Sequence, residues 1–136
     1  APWQSAIADR YMPNTHSWHG MAALRVGVQR LLDEGLPNVY QRHEEVMAYC
    51  HDRLDKMRVE ILPPNRNDCS PTVTAAKVPE GWTFAKLNEA LRKRGMAVGG
   101  SYGPLAGKVF RIGHMGTQAN RLLVASGMDV LEEVIQ

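Results

Sequence analysis

Two long stretches in the first half of the chain carry apolar residues at intervals of three and four, the spacing of one face of a helix. The first begins near Thr15, a residue suited to an N-cap, and ends at Gly35, where a left-handed cap is expected. Its predicted buried face consists of Met21, Leu24, Val28, Leu31 and Leu32. The second runs from about Pro37 to Met57, with an apolar stripe made of Val39, His43, Val46, Cys50, Leu54 and Met57. Helices joined by so few residues predict a long helical hairpin.

The second half of the chain changes to short apolar runs bounded by proline and glycine, which are typical of strands. Four such runs occur, at residues 59–62, 72–78, 96–98 and 109–112. Two helices are predicted among them, one capped by Thr83 and one by Thr117. Their expected core-facing residues are Phe84, Leu87 and Leu91 in the first, and Leu123, Val124, Met128, Leu131 and Ile135 in the second. This order predicts an α+β domain: a small three- to four-stranded, mostly antiparallel sheet with helices packed on one face.

One arginine, Arg111, stands in the middle of the last apolar run. A guanidinium in such a strand needs an anion, because an unpaired buried charge is strongly unfavourable. Two readings stay open at this point. Arg111 either pairs with an internal acid, such as Glu80 or Glu89, or offers its planar fork of donors to a ligand carboxylate. The nearby glycines at 113 and 116 favour the ligand, since glycine lets a small molecule approach the backbone.

Composition and charge exclude several classes of protein. The 136 residues suffice for one domain with its own core. Sixteen basic residues nearly balance fourteen acidic ones and lie among them, which argues against a nucleic-acid or membrane-surface partner. No apolar run approaches the roughly 18 residues of a membrane-spanning helix. The two cysteines, Cys50 and Cys69, have no metal-type spacing and are expected to be reduced, which favours a cytoplasmic location, with an organelle as the alternative.

Two further patterns are weaker. The glycine-rich segment from Gly99 to Gly107 joins two predicted strands, so a turn is favoured over a phosphate cradle, which would lead into a helix. His16 and His19 lie three residues apart, but the sequence offers no third ligand near them. We therefore expect no metal.

The segment from Gly99 to Gly116 carries the most specific pattern of the chain. It reads Gly-Gly-Ser-Tyr-Gly-Pro-Leu-Ala and then Gly-Lys-Val-Phe-Arg-Ile-Gly-His-Met-Gly. This segment resembles the C-terminal domain of class V aminotransferases, which are pyridoxal-phosphate enzymes of fold type I. The nearest members are the serine–glyoxylate, alanine–glyoxylate and serine–pyruvate aminotransferases. Looser matches in the family's order extend the resemblance over most of the chain: Thr15, Leu24-Arg25, Glu34–Leu36, Arg42-His43 and Pro71–Thr74.

The resemblance implies roles for three residues. Arg111 matches the arginine that receives the α-carboxylate of the amino-acid or 2-oxo-acid substrate. Thr15 matches a threonine at the homodimer interface that holds the pyridoxal 5'-phosphate of the partner subunit through its phosphate. The family places a tyrosine three residues before that threonine, where this chain has Met12. Tyr11 is one position away, and a bulge near Pro13 would restore its place.

The resemblance also implies a division of the chain and a missing part. Residues 1–36 would be a leading segment with an interdomain helix, and residues 37–136 the small domain. The large cofactor-binding domain would precede Ala1 and would carry the Schiff-base lysine, which no lysine of this chain matches. We therefore expect no catalytic residue here and no activity from this chain alone.

The expected function is that of the longer enzyme. It would transfer an amino group from serine or alanine to glyoxylate or pyruvate, as a homodimer in which this domain packs on the large domain of its own polypeptide. The alternative is a non-enzymatic domain that binds a small carboxylate or a protein partner through Arg111. The donor and acceptor themselves cannot be read from these residues.

Overall fold

A computed structural model describes residues 2–12 and 14–136 of the protein. Five α-helices occur in this part of the chain: α1 (Pro2–Ala8), α2 (Trp18–Glu34), α3 (Leu36–Lys56), α4 (Phe84–Lys93) and α5 (Arg121–Ile135). Four short strands accompany them: β1 (Ile61–Leu62), β2 (Val73–Lys77), β3 (Gly99–Gly100) and β4 (Val109–Gly113). None of these helices is long and apolar enough to cross a membrane.

The strands form one antiparallel sheet in the order β1-β2-β4-β3. One face of it carries the core, because Ala76 and Phe110 lie opposite each other and are fully buried. Helical residues complete the same core cluster: Val46, Cys50 and Leu54 from α3, Leu87 and Leu91 from α4, and Val124, Met128 and Leu131 from α5. The predicted α+β class and the antiparallel sheet are confirmed.

The chain divides into two compact units, Ala1–Val39 and Tyr40–Gln136. The second unit contains the sheet, most of α3, and helices α4 and α5. The sequence predicts the buried positions of α3 in this unit: from Val46 onward, the predicted stripe is buried except for Met57, which is partly exposed.

The predicted buried face of α2 is wrong for this chain. Its helix and its end at Gly35, with φ of 82°, agree with the sequence. No residue of α2 is buried, however, and the apolar side chains are exposed at Met21, Leu24, Val28, Leu31 and Leu32. An amphipathic pattern reports that a face is suited to burial, and it does not say what covers that face.

Two of the predicted caps are also wrong. The N-cap of α2 is Ser17, whose hydroxyl accepts from the Gly20 N–H at 3.2 Å, so Thr15 lies outside the helix. The N-cap of α5 is Asn120, while Thr117 lies in a short 3-10 turn. Both errors have one cause. Several residues near each helix start can accept from a free N–H, and the fold decides which one does. The Thr83 cap of α4 is confirmed.

The third strand begins later than predicted. Residues 96–98 precede it, and the backbone pairs with β4 only at Gly99 and Gly100. Val98 is buried, so its apolar character reflects core packing and not strand pairing. At the other end of the sheet, Leu123 was expected to face the core but is 52% exposed in the first turn of α5.

Candidate functional site

Arg111 projects from the sheet face opposite the core. Its neighbours along β4, Phe110 and Ile112, are buried, and side chains alternate between the two faces of a strand. Across the sheet, Arg111 pairs with Ala75 on β2 and with Gly99 on β3. Arg111 therefore stands between two of the smallest residues on this open face.

The guanidinium of Arg111 is held by the β3–β4 connection. Its Nε–H donates a hydrogen bond of 2.9 Å to the carbonyl oxygen of Gly100. Its Cζ lies 5.8 Å from the centre of the Tyr102 ring, within the range of a cation–π contact. Among the described residues, no carboxylate lies within ion-pair distance of it, and Glu89 pairs instead with Lys93 at 2.7 Å. The internal pairing with Glu80 or Glu89 is thus absent from the described part of the chain.

Two glycines, Gly99 and Gly113, leave space beside Arg111. A Cβ on Gly99 would be in van der Waals contact with the arginine, 3.5 Å from Nη2 and 3.6 Å from Nε. Because Gly99 has no Cβ, this space beside the guanidinium is empty. On the other side along β4, Gly113 is exposed, and a Cβ there would approach the methyl group of Met115 at 3.9 Å. A small anion can reach the terminal nitrogens of the guanidinium without displacing a side chain of this strand.

A buried polar group supports the end of β4. The Nε2 atom of His114 lies 2.8 Å from Oγ1 of Thr74, and both side chains are almost completely buried. Burial lowers the pKa of His114, so the imidazole is held neutral. Burial also raises the pKa of Cys50 to about 11, against the opposing hydrogen bond from Thr74, so this thiol is not an activated nucleophile.

The residues after His114 are held by α3. The Nη1 group of Arg42 donates to the carbonyl oxygens of Gly116, at 2.8 Å, and Ala119, at 2.9 Å. The Gly116 N–H donates to Nε2 of His43 at 3.0 Å. Gly116 has φ of 59°, a conformation that glycine adopts readily. Arg42 and His43, which are adjacent on α3, therefore bond to the carbonyl oxygen and the N–H of the same loop residue, Gly116.

The two proposed cofactor residues lie in the first unit. Tyr11 and Thr15 belong to the segment between α1 and α2, and both are exposed. The bulge expected near Pro13 falls outside the described residues. Hydroxyl groups are suitable donors to a phosphate, so this segment offers chemistry that fits the phosphate end of a cofactor.

The lysines of the chain lie at its surface. A lysine that acts as a covalent catalyst is activated by an enclosed site that favours its neutral amine. The five lysines are all exposed: Lys56, Lys77, Lys86, Lys93 and Lys108. Two of them form surface ion pairs, Lys77 with Glu60 and Lys93 with Glu89. Within the described residues, no group of three or more His, Cys, Asp and Glu side chains could hold a metal ion.

The sequence does not reveal the two partners of Arg111. Gly100 acts through its carbonyl oxygen, which no side-chain pattern indicates, and Tyr102 lies in a segment whose pattern predicts a turn. A signal was present, because a connection that joins two antiparallel strands brings the residues before it back beside the residues after it.

Known proteins resemble this chain in both sequence and structure. Alanine–glyoxylate aminotransferase from Callithrix jacchus is 36% identical over 115 residues, which cover 84% of this chain and 28% of that protein. The crystal structure of an alanine–glyoxylate aminotransferase from Nostoc sp. superimposes with a TM-score of 0.86 and 29% identity, over 94% of this chain and 34% of the other. The chain is homologous to the class V aminotransferases.

A further relative of this chain is L-aspartate–glyoxylate aminotransferase from Paracoccus denitrificans. The two are 34% identical over a region that covers 82% of this chain and 28% of that protein. The chain thus spans about a third of the length of the aminotransferases that it matches. Its fold is that of the aminotransferase C-terminal domain. No protein-family model matches the chain.

Proposed function

We propose that this chain is the small C-terminal domain of a pyridoxal-phosphate-dependent aminotransferase. The longer enzyme would move an amino group from a small amino acid, such as serine or alanine, to a 2-oxo acid, such as glyoxylate or pyruvate. The names of the relatives support glyoxylate as the acceptor, since it recurs in them with several donors. We place the enzyme in the cytoplasm, with residues 1–36 leading into the small domain at 37–136.

One observation carries this proposal: Arg111 has an exposed guanidinium between Ala75 and Gly99, with no carboxylate partner among the described residues. Both the donor amino acid and the acceptor 2-oxo acid carry a carboxylate beside the reacting carbon. An arginine offers that group two parallel N–H donors, a geometry that a lysine lacks. Arg111 would bind and orient each substrate in turn by the feature that they share.

Tyr11 and Thr15 would donate hydrogen bonds to the cofactor phosphate of the partner subunit in a homodimer. Their exposed hydroxyls suit this role. Pyridoxal phosphate supplies the electron sink of the reaction when it is bound. This chain would contribute substrate and phosphate contacts, and the lysine of the covalent attachment would lie in the large domain.

The first test is Arg111→Ala in the complete enzyme. We expect productive binding of the amino acid to weaken by roughly 2–5 kcal/mol, the range for breaking a charged contact that the bound complex encloses. Arg92→Ala is the matched control, because Arg92 is an exposed arginine on α4 whose side chain donates to Asn88 at 3.2 Å. Unchanged kcat/KM in the Arg111 variant would refute the proposed role.

A second test uses the 136-residue chain with added pyridoxal phosphate. The absorbance spectrum should show no stable imine band, because the lysine that forms it would lie in the large domain. A stable band that survives gel filtration would contradict the assignment of that lysine to another domain.

A further inference from the structure

The Nε–H group of the Arg111 guanidinium already has a hydrogen-bond acceptor. Of the three guanidinium nitrogens, Nε donates to the Gly100 carbonyl at 2.9 Å, and no described residue accepts from Nη1 or Nη2. An approaching carboxylate cannot use the Nε–Nη2 edge without breaking the bond to Gly100. The edge formed by Nη1 and Nη2 is the one that stays available for two parallel hydrogen bonds.

The loop after β3 brings an aromatic ring to this guanidinium. Tyr102 is extended, with φ of −124° and ψ of 169°, and the chain then turns at Gly103, whose φ is 56°. The ring centre lies 5.8 Å from Cζ of Arg111, although 84% of the tyrosine is exposed. At this exposure the tyrosine contributes little to packing among the described residues, whereas its ring lies against the guanidinium of Arg111.

The other side of the guanidinium is kept open by glycine. Gly99 lies directly opposite Arg111 in the sheet, and a Cβ there would already stand at van der Waals distance from Nη2. A longer side chain at this position would compete for the space beside the guanidinium. Among the described residues, the Gly100 carbonyl and the Tyr102 ring are the contacts that orient the arginine.

We propose that Tyr102 is a positioning residue for Arg111, and this inference rests on the proposed function. The face of its ring and the Gly100 carbonyl hold the guanidinium so that Nη1 and Nη2 point at the carboxylate of a small amino acid or 2-oxo acid. The ring attracts the cation through its π-electrons, so the hydroxyl group is not required. Tyr102 acts through Arg111 and takes no part in the chemical step.

The test compares Tyr102→Leu and Tyr102→Phe in the complete enzyme. The leucine removes the aromatic face and should raise KM for both the amino acid and the 2-oxo acid about two- to fivefold, the effect of an exposed cation–π contact, while kcat changes little. The phenylalanine keeps the face and should restore KM. Leu105→Ala is the control for disturbance of the loop, since Leu105 is an exposed residue of the same connection and the substitution keeps its backbone hydrogen bond to the Tyr102 carbonyl.

A binding measurement separates this inference from the proposed function. In the complete enzyme labelled with ¹⁵N-arginine, acetate serves as the carboxylate probe, and the Arg111 Nε–H signal is assigned from its loss in Arg111→Lys. Tyr102→Leu should weaken acetate binding by the same two- to fivefold factor. If Arg111→Lys impairs the substrates but Tyr102→Leu changes neither KM nor acetate binding, the positioning role is wrong and the proposed function stands.

Two other results are decisive. If Tyr102→Phe loses as much as Tyr102→Leu, the hydroxyl and not the ring face is responsible, and the inference fails. If Arg111→Lys itself leaves KM for both substrates unchanged, the proposed function fails first.

Discussion

The Oγ1 atom of Thr74 lies 2.8 Å from Nε2 of His114, and the two side chains are 1% and 0% exposed. They join β2 to the residue that follows the Arg111 strand. A buried hydrogen bond of this kind matters chiefly through what its loss leaves behind, namely a polar atom without a partner.

Thr74→Val should therefore destabilise the protein by about 1–3 kcal/mol, because Nε2 of His114 would stay buried without its partner. Thr74→Ser keeps the hydroxyl and should lose less. Urea unfolding followed by circular dichroism measures both. Equal stability of the valine variant and the wild type would mean that His114 finds another partner.

Stability should fall in mild acid. Burial lowers the pKa of both His51 and His114 in the folded protein, while the unfolded chain titrates near the ordinary value of about 6.5. Below that pH the unfolded state binds more protons, so the free energy of unfolding decreases as the pH falls, by at most about 1.4 kcal/mol per pH unit for each histidine. Above it, the contribution of these two groups is constant.

His51→Phe removes one of these groups and should flatten the acid limb of the stability profile. Its control is the pair His16→Gln and His19→Gln, which changes exposed imidazoles. Denaturant midpoints between pH 4.5 and 7.5 give the comparison. An acid limb that is equally steep in the phenylalanine variant would assign the effect to other groups.

The core should respond most strongly at Phe110. This side chain is fully buried on β4, so Phe110→Ala is expected to cost about 3–5 kcal/mol. Leu122→Ala is the reference substitution, because Leu122 is apolar but 81% exposed at the start of α5. It should shift stability by less than about 0.5 kcal/mol. Thermal or urea unfolding that ranked the two in the opposite order would place the core elsewhere.

The start of α5 provides a paired test of capping. The Asn120 side chain accepts from the backbone N–H groups of Leu122, at 2.9 Å, and Leu123, at 3.2 Å. Asn120→Ala should destabilise by about 0.5–2 kcal/mol. Thr117→Ala, at the residue that the sequence pattern selected as the cap, should have little effect. If the threonine variant proves the more damaging, the helix begins at Thr117 in solution.

The sequence was a good guide wherever a residue's role depends on its immediate neighbours. The α3 stripe, the Thr83 cap and the strand around Arg111 follow from local periodicity and turn chemistry, and all were predicted. The resemblance carried the choice of Arg111 as a ligand contact, since charge and pattern alone left pairing with an internal acid open.

The failures share a different cause. Burial of α2 depends on a surface that its own periodicity cannot describe, and the start of β3 depends on which residues meet β4 across eleven positions of intervening chain. The partners of Arg111 were hidden because one is a backbone carbonyl and the other lies in a turn. Such contacts depend on tertiary geometry, which the local sequence pattern does not determine.

The hold of α3 on Gly116 has a mechanical consequence. Successive residues of a helix project about 100° apart, so Arg42 and His43 can bond to opposite sides of one peptide residue at only one rotation and one height of the helix. An apolar stripe alone would allow α3 to slide or roll slightly against the sheet. Arg42 and His43 therefore fix the position of α3 relative to the end of β4. Any movement of α3 would be transmitted to residues that lie three to five positions after Arg111 in the chain.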